Sequence, residues 1–282
     1  MQTPRLDGLA LSEHDVDFIV RTAEPDAIDS GRLKRLVRED SDFRKAMVGS
    51  DRVFRKVMQD DNIFVSISTP LFFEILLRHA EKDLKKTGHT MEDDPGGRVI
   101  VFDADRVADL LDREFVLNYL ADMMSSFTRI EHHSFLVKVR PGIYRRVRFH
   151  DMDIDSLMSY CDMLDEEHRF FIYRRIADAC LFMLGIFPDF IELDYRYPHS
   201  GGLRRARVPG HSRRSVQEYE QEGRKFYKLL AEHPMAERLG FTELFDIFRE
   251  NIGVAKKPLN FVARNYLPCR KRRLFGVNPS VN

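Results

Sequence analysis

The chain has few cysteines, no long apolar run, no net charge and no common catalytic signature, and each shortage removes a class of protein. Its three cysteines, Cys161, Cys180 and Cys269, are odd in number and show no CxxC spacing. Neither a disulfide framework nor a structural zinc site is expected, and a reducing cytoplasm is the expected compartment. The longest apolar run, ACLFMLGIF at 179–187, is far short of the roughly 20 residues that span a bilayer. The opening MQTPRLDGLA has no cationic segment leading into an apolar one, so a soluble chain without targeting or membrane association is expected. No GxSxG, HExxH, Walker, Rossmann or paired Cys/His pattern occurs, and so no nucleophile or acid–base pair is nominated.

What is present is a globular composition. With 282 residues, 43% apolar and 32% charged, the chain can bury a substantial core and is not of the disordered type. The expected organisation is a single mostly helical unit over 1–282, with lobes 1–90 and 98–282 as a subdivision at the polar loop TGHTMEDDPGG, 87–97. The zero net charge hides an asymmetry. Residues 203–282 hold 17 Lys/Arg against 8 Asp/Glu, a net +9, which leaves 28 against 37, a net −9, in the first 202. Such polarity steers an anionic partner to one end or draws the two parts of the chain together.

Helical periodicity dominates. Ser12 with Asp15 three residues on, before Val16, Ile19 and Val20, has the form of a capping box. Further helices are expected over 27–39, 41–48 and 51–58, then from a Thr69 cap and Pro70 through LFFEILLRHAEKDLKK. Asp103 is expected to cap ADRVADLLD, followed by EFVLNYLADMMSSF. A helix over 166–187 is apolar on nearly every side and should be central. VQEYEQEGRKFYKLLAEH, FTELFDIFREN and PLNFVARNYL are read as three closing helices, and CRKRR, 269–273, as a disordered terminal piece.

One segment breaks the helical pattern. In HHSFLVKVRPGIYRRVRFHD, 132–151, the odd positions His133, Phe135, Val137, Val139, Ile143, Val147 and Phe149 form an apolar face interrupted by Arg145. Lys138, Arg140, Tyr144, Arg146 and Arg148 fall on the even face, a period of two that predicts a β-ribbon with a cationic side. A tight two-residue turn at Pro141 and Gly142 would pair Arg140 with Ile143 and mix the faces. A bulge or a three-residue loop, pairing Arg140 with Tyr144, is expected instead, because register follows the buried face. The cations either blunt an exposed edge or grip phosphates, with Tyr144 free to stack on a base. The loop at 195–215 adds Arg204, Arg205 and Arg207 among tyrosines and glycines, and is read either as part of an anion site or as a solvated loop.

The remaining constellations are weaker. Asp151, Asp153, Asp155 and Asp162 echo a calcium loop, but Ser156 stands where the turn needs glycine, so a helix cap at Asp153 or Asp155 is expected. Glu131, His132, His133 and His150 are too loosely arranged to predict a metal. Arg174, Arg175 and Asp178 interrupt the central helix at spacings that favour an ion pair, with an anion pocket as the alternative.

The sequence therefore predicts a mainly α, multi-helix globular protein with one small antiparallel β-ribbon at about 133–150. It is read as a non-enzymatic binding or regulatory protein for an anionic partner, nucleic acid first. The expected anion-binding residues are Lys138, Arg140, Tyr144, Arg146, Arg148, Arg204, Arg205 and Arg207, without metal or cofactor. Two alternatives stand beside it: a scaffold for a protein partner with merely solvated charges, and a hydrolase or transferase of phosphorylated substrates around Arg174, Arg175, Asp178 and the histidine-bearing ribbon.

Overall fold

A computed structural model describes residues 10–94, 97–129, 132–140, 143–150, 152–191 and 213–276, with backbone alone for 93–94 and 132–150. The chain is mainly α, as its periodicity implies, and divides into two units. One comprises Met1–Ser125 with Lys257–Leu267, the other Ser126–Lys256 with Pro268–Asn282.

The first unit begins with α1 (Glu13–Ala23), whose Ser12/Asp15 capping box forms as expected. Asp15 is fully buried, and its second oxygen accepts the backbone N–H of Ser68 at 2.7 Å, so one carboxylate starts α1 and holds the entry to α5. Short helices α2 (Ser30–Glu39), α3 (Ser41–Val48) and α4 (Asp51–Gln59) follow, each started by a side-chain oxygen, from Asp29, Asp40 and Ser50. Helix α5 (Thr69–Thr87) is capped by Ser68 rather than Thr69, which with Pro70 forms the first turn. The unbroken buried run from Leu71 to Leu77 makes α5 the spine of this unit, each large apolar side chain contributing about 1.5–3 kcal/mol.

Within the stretch expected as a loop at 87–97, Thr90–Asp94 forms instead a strand, β1, paired antiparallel with β2 (Gly97–Val101) in a second ribbon. The acidic β1 carries no strand signature of its own and is ordered by pairing with the β-branched residues of β2. Gly97 has φ 131°, where a side chain would be strained. Helices α6 (Ala104–Asp112) and α7 (Glu114–Ser126) follow.

The second unit holds β3 (His132–Arg140), β4 (Ile143–His150), α8 (Ile154–Cys161), α9 (Glu166–Ile186), α10 (Val216–Ala231), α11 (Pro234–Leu239) and α13 (Lys271–Phe275). Helix α9 is buried on all sides from Tyr173 to Ile186, as its composition implies. Helix α10 packs beside it through Gly223, where a Cβ would fall 3.3 Å from the Cys180 Cβ and 2.3 Å from the Ile252 Cδ1, so a side chain there would have to displace the Ile252 terminal methyl. The CRKRR stretch is not irregular: Lys271–Phe275 is helical, and buried Phe275 meets Phe182 edge-on at 4.9 Å. That single aromatic anchor orders a segment whose charges alone predict solvation.

Helix α12 (Thr242–Asn265) unites two segments read as separate helices, and its last residues, from Lys257, belong to the first unit. The interruption lies at Asn251 (φ −118°, ψ 26°), whose amide donates to the Ile247 carbonyl at 3.0 Å, while Pro258 sits inside the helix. The kink thus falls at the last residue of the expected FTELFDIFREN helix, while the second segment begins before Pro258 and carries the proline inside it.

The β3–β4 register contains both features weighed against each other in sequence. Odd residues pair with odd (Phe135↔Val147, Val137↔Arg145) and even with even (Ser134↔Arg148, Leu136↔Arg146, Lys138↔Tyr144). A shift between Lys138 and Arg140 then leaves Arg140 opposite Ile143. The bulge exists, but Tyr144 faces Lys138 rather than Arg140. It takes up one residue, reconciling the short connection with the alternation of the ribbon's body.

Candidate functional site

The expected anion site falls largely beyond the side chains described. Lys138, Arg140, Tyr144, Arg146 and Arg148 lie on β3 and β4, where the backbone is described, and Arg204, Arg205 and Arg207 lie outside the described residues. The backbone nevertheless ranks four of the five ribbon residues. Tyr144, Arg146 and Arg148 occupy successive even positions of β4, with Lys138 directly across from Tyr144, whereas Arg140 lies past the bulge and out of that row. At the open end His132 pairs with His150 and His133 with Phe149, so the two adjacent histidines are separated by the ladder.

Helix α8 follows the ribbon, and two of the calcium-like aspartates, Asp153 and Asp155, are engaged there as structure, while Asp151 lies outside the described residues. Asp153 is the N-cap, accepting from the Ser156 amide at 3.3 Å and its hydroxyl at 2.6 Å. Asp155 pairs with Arg214, whose charge is favoured by that carboxylate against the cost of burial. No group of three metal-capable side chains occurs among the described residues.

The charged trio of α9 resolves into an ion pair and a packed guanidinium. Arg174 and Asp178, 6% and 3% exposed, are one turn apart with N···O 3.4 Å. Asp178 also accepts the Tyr227 hydroxyl of α10 at 3.0 Å, a partner that sequence spacing gave no means to find. Arg175 turns away, lying 3.8 Å over the Phe127 ring and donating to the Ser126 hydroxyl at 2.9 Å. The acid and both bases are thus engaged by the protein, and they fasten α9 to its neighbours. The buried thiols are unsuited to attack: burial pushes Cys161 up to about 11 and raises Cys180 further.

Three polar clusters in the first unit went unnoticed in the sequence. Lys257, 7% exposed, bridges Glu92 of β1 and Asp103 before α6, and Asp103 also accepts the Thr90 hydroxyl at 2.5 Å. This explains why Asp103, at the N-cap position of α6, makes no side-chain cap bond. Within α5, fully buried Glu74 holds Arg78 at 2.8 and 3.0 Å and Arg44 at 2.7 Å, while Arg78 also reaches Glu114. The signal for it was legible: a Glu and an Arg four apart inside the apolar run LFFEILLR.

The third cluster surrounds His79. Its ring stacks on Phe54 with centroids 3.6 Å apart and stands 3.8 Å from Asp83, which accepts the Tyr266 hydroxyl at 2.8 Å. Asp51 lies 3.9 Å from its other nitrogen. Burial lowers the His79 pKa, outweighing the two aspartates that favour the cation, while Lys82 and Lys86 add to the lowering. A neutral folded histidine means that the unfolded chain takes up the proton first as pH falls. Stability is therefore full above about 6.5 and declines below it, through the lowered folded value. His79→Phe, which keeps a ring against Phe54, should flatten the urea-midpoint profile between pH 7 and pH 5. An unaltered profile would assign the acid sensitivity to other groups.

Among the described residues no helix is long and apolar enough to cross a membrane. Comparison with protein-family models, with curated proteins and with solved structures finds no match for the chain.

Proposed function

We propose that the chain is a non-enzymatic binding or regulatory protein for an anionic partner, nucleic acid, and that β3–β4 is its contact element. The observation that carries this reading is the ribbon register, which sets Lys138 opposite Tyr144 and continues the row through Arg146 and Arg148. A row of cations tracks a phosphate backbone, and a tyrosine within it supplies a stacking platform for a base. Arg204, Arg205 and Arg207 are proposed to extend the site. The competing reading as a phosphoryl-group enzyme is weakened because Asp178, its described acid, already holds Arg174 and Tyr227.

The test is a titration of fluorescent single- and double-stranded oligonucleotides at two salt concentrations. Each phosphate contact adds about 0.7–0.9 to the slope of log affinity against log salt. Replacing Lys138, Arg140, Arg146 and Arg148 together with alanine should thus flatten the slope by roughly 3. Tyr144→Ala should instead cost about 1–3 kcal/mol at every salt concentration. No binding at low salt sinks the nucleic-acid reading and leaves a protein scaffold ahead, and equal binding by wild type and the quadruple variant reduces these cations to a solvated face.

A further inference from the structure

Half of the large exposed apolar side chains among the described residues belong to one short element. Met91, Val99, Ile100 and Phe102 are 39%, 47%, 52% and 87% exposed, and all lie on or beside the β1–β2 ribbon. Register separates its two faces. Thr90 pairs with Val101 and Glu92 with Val99, and this face is bound to the body of the unit: Thr90 is 5% exposed, Glu92 is gripped by Lys257, and Asp103 beyond the ribbon's end completes the clamp. Met91 pairs with Ile100 on the opposite face, and Phe102 continues that face past the end of β2. Val99 and Val101 share the clamped face with Thr90 and Glu92, and the outward face carries Met91, Ile100 and Phe102 beside the Asp93↔Arg98 register pair, so apolar surface reaches water on both sides of the ribbon. An anchored element that presents apolar surface to water is a mark of an interaction site.

The edges differ as well. Strand β1, TMEDD, is acidic, and charge is how natural sheets protect an edge. Strand β2 runs RVIV and on into Phe102 with no charge between Arg98 and Asp103, and among the described residues it is paired on one side only.

We propose that the outer edge of β2 pairs antiparallel with β2 of a second copy of this chain, forming a four-stranded sheet in the order β1, β2, β2, β1. The occupant follows from the sequence of the strand. Read against itself about Ile100, β2 sets Ile100 on Ile100, Val99 opposite Val101 and Arg98 opposite Phe102 of the other copy. The two Arg98 charges are held at opposite ends, and each meets an aromatic ring it can lie against. Self-pairing through β1 would bring carboxylates together. A basic peptide on β1 would compete with Lys257 for Glu92. A five-residue edge contact is much smaller than the roughly 1,200–2,000 Å² of a stable interface. Self-association is accordingly weak, with a dissociation constant on the order of 10–1,000 μM.

Two measurements on the full chain test this. Sedimentation across that concentration range should show a monomer–dimer equilibrium, and Ile100→Lys, at a half-exposed position, should weaken it at least about tenfold by placing a charge at the centre of the pairing. The second test reads the register and does not depend on how strong the dimer is. In a Cys269→Ser background, which removes the exposed thiol and leaves Cys161 and Cys180 buried, Ile100→Cys should form a disulfide dimer with copper–phenanthroline as oxidant. Paired residues at the two-fold axis stand about 4.5–5.5 Å apart at Cα, within disulfide reach. Met91→Cys should not cross-link, since the two β1 strands lie three strand spacings apart, roughly 14 Å. Cross-linking at Ile100 and not at Met91 supports the proposal. A monomer at every concentration with no Ile100 cross-link, or equal cross-linking at both positions, overturns it and leaves the face to a different protein.

Discussion

Replacing Arg78 with methionine is expected to destabilise the protein by about 3–5 kcal/mol, the range found when one member of a buried ion pair is removed. Glu74 is fully buried, and Arg78, 2% exposed, supplies two of its three hydrogen bonds. Burial pulls the Arg78 pKa down, but Glu74 and Glu114 together hold it above the ordinary arginine value. In Arg78→Met the carboxylate keeps only Arg44, and a charge in the middle of the LFFEILL run loses most of its compensation. The paired change Glu74→Leu with Arg78→Met should recover most of the loss, because it removes both charges and fills the space with apolar atoms. Urea denaturation of the two single variants and the double variant closes the cycle. A single-variant loss below about 1 kcal/mol would mean that solvent or Arg44 satisfies Glu74 unaided.

How far the sequence could be read follows from the distance over which each feature is determined. The Ser12/Asp15 box is local and was legible in full; the cap of α5 was legible to within one residue, because Ser68 and Thr69 offer the same hydroxyl. Helix α9 was legible because its apolar run leaves no polar face. The ribbon at 132–150 was legible from its period of two, and its bulge from the conflict between that period and a two-residue connection. Strand β1 was not. Nothing in TMEDD predicts a strand, and what orders it is β2 together with Lys257, which lies 154 residues after Asp103 in the chain. The end of the FTELFDIFREN helix at Asn251 was legible, but the start of the next was read too late, because Pro258 looks like a helix opening and in fact sits inside the second segment. The candidate site shows the same limit. Spacing identified the Arg174–Asp178 pair, which is a matter of one helical turn, but not Tyr227, which reaches Asp178 from another helix.

Lys257→Met should be the second costly substitution, at roughly 2–4 kcal/mol, and its effect should be local. The ammonium is 7% exposed and serves Glu92, Asp103 and Thr90, so its loss removes the cation that allows two carboxylates to sit at the base of the β1–β2 ribbon. The carboxylates are not equivalent. Glu92 has a side chain 42% exposed and can turn to water, so Glu92→Gln should cost less than about 1 kcal/mol. Asp103 has a side chain 21% exposed and also holds Thr90, so Asp103→Ala should approach the loss seen for Lys257→Met. The ribbon has little apolar burial of its own to replace the clamp, since Val99 and Ile100 are each about half exposed and Met91 is 39% exposed. Hydrogen exchange should therefore accelerate for the amides of residues 90–101 in Lys257→Met, while the amides of α5, secured by the buried Leu71–Leu77 run, keep their protection. Uniform acceleration across both elements would instead make Lys257 a support of the whole unit and not a clamp on the ribbon.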